Sequence, residues 1–219
     1  MQELSSSSLP ILIPQMFVSI FVLMNPFSLL GVYLEITGKF SKNFKKRLLI
    51  VMTIAVNAVL FSFLFGGEVI LTFFGINLAG FTAAGGILIF LMGISMVRAQ
   101  NPESHHSDKE REDAKESENP ASVGVVPLAL PILAGPGTIS VVINNAHTYS
   151  DFNGYLAIAI GIVAVSIIVY VVFRFADIIS NKIGRTGLNI ITRVMGLMLM
   201  ALALDMIARG MSQLFPALS

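Results

Sequence analysis

The sequence predicts an all-α membrane protein with six transmembrane helices, arranged as a 3+3 inverted-topology repeat whose first and fourth helices are broken. The first observation is composition. Of the 219 residues, 55% are hydrophobic and only 12% are charged, which is too apolar for a soluble domain of this size. The second observation is a set of six long apolar segments. The third is a proline-containing break at similar depth in two of these segments.

The apolar segments have the length that a bilayer requires. A helix needs about 20 apolar residues to cross the hydrocarbon core. The second and third segments are joined by a tight turn near Gly75–Asn77, and the fourth and fifth by a short polar stretch. The predicted spans cover residues 9–36, 48–74, 78–97, 122–147, 154–176 and 189–213.

One hydrophilic stretch divides the chain. Residues 101–119 mix Ser, Glu, Asp and Lys without an apolar period, which is typical of a flexible linker. His105 and His106 lack partners at metal-ligand spacing, so no metal site is predicted. We expect one membrane domain made of a first three-helix repeat (1–97), a cytoplasmic linker (98–121) and a second three-helix repeat (122–219).

Basic residues set the expected orientation. They follow the first, third and fifth spans, whereas the turns after the second and fourth spans have none. Loops rich in Lys and Arg stay in the cytoplasm. We therefore expect a multi-pass protein of the cytoplasmic (inner) membrane with both termini outside, in the periplasm. The basic residues are Lys39, Lys42, Lys45, Lys46 and Arg47, then Arg98, Lys109, Arg111 and Lys115, then Arg174, Lys182 and Arg185.

Proline interrupts the first and fourth spans near mid-depth. In the fourth span, Pro131 and Pro136 remove backbone donors, so a helix should stop near Ala134 and restart at Pro136 with Gly135 as its cap. In the first span, Asn25 is a good cap and Pro26 a good first helical residue. A restarted helix directs free N–H groups and a partial positive charge at the opening.

The two breaks belong to an internal repeat. Pro26 and Pro136 are 110 positions apart, and the same offset places Ser28 on Thr138, Thr82 on Thr192, Gly86 on Gly196 and Met96 on Met206. Three spans per repeat give the halves opposite orientations. Secondary transporters are often built this way, with substrate near the midplane between broken helices.

The breaks supply the candidate binding site. A carboxylate is the ligand that a restarted helix N-terminus attracts. The alternative is that the breaks only bend the helices for packing. Backbone carbonyls freed at Met24 and Ala134, and the carboxylate of Asp205, are candidates for coupling to Na+ or a proton. The predicted substrate-binding residues are Asn25, Ser28, Gly135, Gly137, Thr138 and Asn144.

Enzyme chemistry is not expected. The chain has no cysteine, and His147 is the one histidine near a span, so neither a nucleophile–base pair nor a metal set is evident within the membrane. No catalytic residue and no cofactor is predicted. The expected partners are a small-molecule substrate and the lipid bilayer, with no nucleic acid, and an oligomer is compatible with the sequence.

The motifs resemble those of a known family. Met24–Pro26, Ala84–Gly86, Val126–Pro131 with Ala134–Gly137, and Ile191–Gly196 stand in the order found in the MarC family, also called the neutral amino acid transporter family. The resemblance covers nearly the whole chain except its N-terminus and the 101–119 linker. It implies six spans in a bacterial or archaeal cytoplasmic membrane and, for some members, transport of small neutral amino acids such as glycine and alanine.

Two functions remain from the sequence. The first is a secondary transporter of small neutral amino acids that alternates access around the midplane breaks and couples to an ion. The second is a channel or passive exporter of small metabolites.

Overall fold

The computed structural model describes residues 9–38, 40–98 and 133–215. Every regular secondary-structure element within these ranges is a helix, and the connections are turns and bends. The predicted all-α class is therefore confirmed. Pro131 and most of the predicted linker lie outside the described residues. The helices are α1 (Leu9–Met24), α2 (Leu30–Thr37), α3 (Lys42–Phe73), α4 (Leu78–Val97), α5 (Pro136–Thr148), α6 (Phe152–Arg174) and α7 (Ala176–Leu214).

Among the described residues, four helices are long and apolar enough to cross a membrane. They are α3, α4, α6 and the Thr186–Leu214 part of α7. The apolar α1 is shorter because it stops at the first break. The described part of the fourth predicted span begins at residue 133 and contains α5. The described chain is therefore a multi-pass helical protein. One helix, α1, stops at Met24 and another, α5, starts at Pro136, both in segments that contain prolines.

Side-chain caps fix the starts of three helices. Ser41, Asn77 and Asp151 have extended backbones and accept hydrogen bonds from backbone N–H groups in the first turns of α3, α4 and α6. Such caps satisfy donors that have no intrahelical partner. Each helix consequently begins at a polar residue between two apolar segments, which keeps the turns at the ends of the bundle.

Two glycines with left-handed backbones reverse or bend the chain. Gly75 (φ 66°) makes the turn between α3 and α4, as the sequence predicted near this position. Gly184 (φ 69°, ψ 170°) bends α7. The basic segment after the fifth span was expected to be a loop, but it is helical from Ala176 up to this bend. A left-handed backbone costs glycine little because it has no Cβ.

The helices form two hydrophobic cores. The larger core joins α1, α2, α3, α5 and α6 and also includes Ala176 at the start of α7. The smaller one joins α4 and α7, and only Val22 and Leu23 of α1 and Val141 of α5 enter it from the other helices. The most extensive helix–helix packing in the described chain is between α4 and α7. These two helices thus form a paired unit that meets the rest of the bundle at the broken spans.

Glycines let α4 and α7 approach closely. A Cβ built on Gly86 would lie 2.9 Å from the carbonyl oxygen of Ala203, and one on Gly196 would lie 2.9 Å from the carbonyl oxygen of Gly93. Real Cβ atoms do not come this close to backbone. Small residues serve this purpose in membranes, where van der Waals packing drives helix association.

Gly196→Ala is therefore expected to destabilise the protein, whereas Gly80→Ala on the outer side of α4 is not. The added methyl at position 196 meets backbone, which cannot rotate away, and overpacking of this kind costs about 1–3 kcal/mol. A Cβ at position 80 meets nothing within 4 Å. Thermal unfolding in detergent measures the difference, and equal midpoints for the two variants would contradict the close seam.

Candidate functional site

The first break lies between α1 and α2. The helix ends at Met24, Asn25 adopts a left-handed backbone (φ 35°), and a turn leads to Leu30, where α2 begins. The predicted restart at Pro26 with Asn25 as its cap is therefore wrong. A cap needs an extended backbone, and the left-handed conformation of Asn25 aims its side chain elsewhere. Asparagine tolerates this backbone better than most residues do.

The Asn25 side chain is buried and only half satisfied. Its amide nitrogen lies 3.5 Å from the sulfur of Met96 on α4, which is a weak acceptor. Its amide oxygen has no hydrogen-bond partner among the described residues, and the residue is 4% exposed. An unpaired buried acceptor costs about 1–3 kcal/mol, so this oxygen is available to a ligand that donates.

The second break has the geometry that the sequence predicted on its downstream side. Gly135 is the N-cap with an extended backbone and offers no side chain, and α5 starts at Pro136. The first-turn N–H groups of a helix have no intrahelical acceptors. The hydroxyl of Thr138 donates to the carbonyl oxygen of Leu133 at 3.2 Å, which ties the new helix to the residues before the break.

Gly137 brings three helices together. A Cβ at this position would lie 2.9 Å from Ile89 of α4 and 3.6 Å from Leu23 of α1. Gly137 and Thr138 are both buried. The start of α5 therefore faces the interior of the bundle, beside the end of α1, rather than lipid or water.

One hydrogen bond between side chains joins each broken span to the paired unit. Ser28, in the first break, donates to Thr192 of α7 at 3.2 Å. Thr82 of α4 donates to the side-chain oxygen of Asn144 of α5, also at 3.2 Å. Sequence reasoning gave Thr82 and Thr192 no role at the site, although the 110-residue offset had already paired them.

A small void lies where the two breaks meet. Met24 and Leu133 line it together with Thr53 of α3 and Ser166 of α6, and it has no room for a water molecule. The hydroxyl oxygen of Ser166 is buried and lacks a hydrogen-bond partner within the described ranges. Ala134, a predicted carbonyl ligand, is buried in the same core. The breaks of the two halves are thus neighbours.

Asp205 lies away from the breaks. Its carboxylate is 2.9 Å from the guanidinium of Arg209 one turn later, and both side chains are 57% exposed. The two residues form an i,i+4 ion pair on α7. An exposed i,i+4 pair contributes a few tenths of a kcal/mol. This location gives Asp205 no contact with the residues around Asn25 and Gly137.

One described cleft also lies outside the breaks. It measures about 490 Å³ and opens between the ends of α3, α5 and α6. Glu68 and His147 face each other there at 3.6 Å, and both are more than half exposed. The cleft is wide and lined mainly by aromatic and aliphatic side chains, so it lacks the convergent polar groups found at the breaks.

The fold and site define a class: a multi-pass helical membrane protein in which the end of α1 and the start of α5 meet inside the bundle. The chain matches the MarC family integral membrane protein model over residues 11–215. It belongs to this family.

Similar proteins occur in bacteria and archaea. The UPF0056 membrane protein YvbG of Bacillus subtilis is 35% identical over 94% of this chain and 97% of its own length. YhcE of Escherichia coli, another UPF0056 membrane protein, is 33% identical over 92% and 93%. A UPF0056 membrane protein of Methanocaldococcus jannaschii is 37% identical over 89% and 93%. No solved structure matches the chain.

Proposed function

We propose that the protein is a secondary transporter that carries small neutral amino acids, similar to glycine or alanine, across the cytoplasmic membrane. One observation carries the proposal. The N-terminus of α5 at Gly135 and Pro136 has no side-chain cap and lies inside the bundle, next to a break where the amide oxygen of Asn25 has no hydrogen-bond partner among the described residues. Donors and acceptors are thus offered by two neighbouring helix ends.

A small zwitterion is complementary to this arrangement. The start of α5 carries a partial positive charge and free N–H groups, which suit a carboxylate. The end of α1 carries a partial negative charge, and Asn25 adds an acceptor, which suits an ammonium group. Gly137 and Thr138 allow a ligand to approach the backbone closely, and Ser28 and Asn144 stand at the same two breaks. A large side chain would meet Ile89 and Leu23, which favours glycine- or alanine-sized substrates.

Burial at the breaks favours a carrier over an open channel. Asn25 and Thr138 are 4% and 3% exposed, so a substrate reaches them only if the helices move. An open pore would instead leave polar residues at mid-depth in contact with water. The channel or passive exporter remains the second candidate, and transport kinetics separate the two.

The inverted repeat is part of the proposal, and the seam between α4 and α7 supports it. Gly86 lies against Ala203 and Gly196 against Gly93, and the offset of 110 exchanges one pair for the other. Packing across the bundle is exchanged in the same way, since α1 packs on α6 and α5 packs on α3. A two-fold axis in the membrane plane produces this reciprocity.

Topology reporters test the orientation that the repeat requires. A reporter fused after Ser219 should read as periplasmic, and one inserted at 103–118 should read as cytoplasmic, because the basic segments stay inside. The opposite reading at either position would rule out the inverted repeat as proposed.

Uptake into liposomes tests the function. Vesicles preloaded with unlabelled glycine or alanine should take up the labelled amino acid faster than empty vesicles. A carrier reorients faster when unlabelled substrate occupies its site on the inner side, whereas flux through an open pore does not depend on internal substrate in this way. Imposed Na+ and proton gradients identify the coupling ion, for which the carbonyls of Met24 and Ala134 and the carboxylate of Asp205 are the proposed sites. Failure of every small neutral amino acid to enter would overturn the proposed substrate class.

A further inference from the structure

The paired unit of α4 and α7 touches the rest of the bundle at few polar points. Val22, Leu23 and Val141 supply apolar contacts at its interface with the broken spans, and the amide nitrogen of Asn25 lies 3.5 Å from the sulfur of Met96 of α4. Two hydrogen bonds between side-chain oxygens of described residues also cross this interface. They are Thr82–Asn144 and Ser28–Thr192. Each links a broken span of one half to the third span of the other half, so each crosses between the two hydrophobic cores.

The Thr82–Asn144 hydrogen bond lies near one end of the bundle. Thr82 is about one turn after the start of α4, and Asn144 is about one turn before the end of α5. The turns α3–α4 and α5–α6 are therefore on its side of the breaks. These are the turns without basic residues, which the orientation places in the periplasm.

The Ser28–Thr192 hydrogen bond lies toward the opposite end. Thr192 is less than two turns after Thr186, where the spanning part of α7 begins. Ser28 precedes α2, which runs on toward the basic first turns of α3. Lys45 of α3 is 3.7 Å from Asp177 of α7, so the basic ends of these helices are neighbours. This hydrogen bond is therefore on the cytoplasmic side of the breaks.

We propose that Thr82 with Asn144 forms an outer gate, that Ser28 with Thr192 forms an inner gate, and that the α4–α7 unit moves to open one gate at a time. This inference rests on the proposed transporter. Both gates are closed in the structure, in agreement with the burial of Asn25 and Gly137 between them. Thr82 and Thr192 are equivalent under the 110-residue offset, so the repeat supplies one gating hydroxyl to each face.

The strength of these contacts suits a gate. A single hydrogen bond between neutral side chains shifts a two-state equilibrium by about three- to tenfold, which closes a gate without locking it. The glycine seam inside the α4–α7 unit meets backbone on both sides and keeps the two helices together as they move. The unit consequently has a fixed interior and weakly held ends.

Removal of one hydroxyl at a time tests the gates without any transport measurement. The natural chain has no cysteine, so Leu23→Cys provides a single reporter thiol beside Gly137 at mid-depth. A membrane-impermeant maleimide is applied to right-side-out and to inside-out vesicles. Thr82→Val and Thr192→Val are matched variants that delete the hydroxyl with little change of shape, and Thr82→Ser and Thr192→Ser are controls that keep it.

Opposite effects on the two faces are expected. Thr82→Val should accelerate labelling from the periplasmic face by about three- to tenfold, and Thr192→Val should do so from the cytoplasmic face, while both serine variants label like the parent. Acceleration from the same face by both variants, or from neither face, would overturn the gates. Because labelling needs no substrate, side-specific labelling without amino acid uptake would retain the gates and reject only the substrate class.

Discussion

Replacement of Gly137 by leucine is expected to lower transport about tenfold or more while the protein still inserts and purifies. The physical reason is that the first turn of α5 presents bare backbone, and a side chain at this position covers the N–H groups that would bind a carboxylate. Loss of a buried charge-assisted hydrogen bond, at about 1.5–3 kcal/mol, corresponds to this range. Initial uptake rates at matched protein levels in liposomes measure the effect.

The structure makes this prediction sharper, because a side chain at Gly137 also collides with Ile89. The double variant Gly137→Ala, Ile89→Ala removes that collision, while the alanine methyl at position 137 still covers the backbone N–H groups. If the site is at α5, the double variant stays impaired. Full recovery would show that Gly137 serves helix packing only. Gly80→Leu, at a position with open space, controls for the addition of leucine to a membrane helix.

The downstream side of the second break was predictable from sequence because its signals are local. Gly135 can take the extended N-cap backbone, and Pro136 fixes the backbone angle of the first helical residue, so the start of α5 follows from two consecutive residues. The turn at Gly75 is similarly local. Prediction succeeded where one or two residues decide the backbone.

The first break could not be placed by the same rules. Asn25 followed by Pro26 satisfies the preferences for an N-cap and a first helical residue, yet the helix restarts only at Leu30. Tertiary structure decided otherwise: the amide nitrogen of Asn25 points to Met96 of α4, and its backbone is left-handed. Contacts with α4 depend on the arrangement of all the spans, which a capping pattern does not contain.

The partners of the site residues were also beyond the sequence. Ser28 and Asn144 were candidates, but only the packing of α4 and α7 against the breaks reveals Thr192 and Thr82 as their partners. The 110-residue offset did carry part of this information, since it pairs these two threonines. A repeat indicates which residues are equivalent, whereas the helix packing determines what each of them contacts.

Glycine is expected to compete for transport far better than glycinamide, and alanine better than alaninamide. Each pair is matched in size and keeps the ammonium group, but the amide lacks the negative charge that the start of α5 would hold. Arg193 and Arg209 are exposed on α7, and the other Lys and Arg residues of the described chain lie near helix ends or beside the bend at Gly184, so no described cation at the breaks can replace the backbone donors. The helix N-terminus alone must then distinguish acid from amide.

The size of the difference identifies the group that is recognised. Hydrogen bonds to a buried charge contribute about 1.5–3 kcal/mol, so the amides should compete roughly ten- to a hundredfold more weakly. Inhibition of labelled uptake across a concentration series gives the two affinities. Equal competition would rule out carboxylate binding at α5 and would move recognition to the acceptors at the end of α1, where Asn25 offers its unpartnered oxygen. In that case Asn25→Ala should abolish uptake, whereas Gly137→Leu would act only through its collision with Ile89.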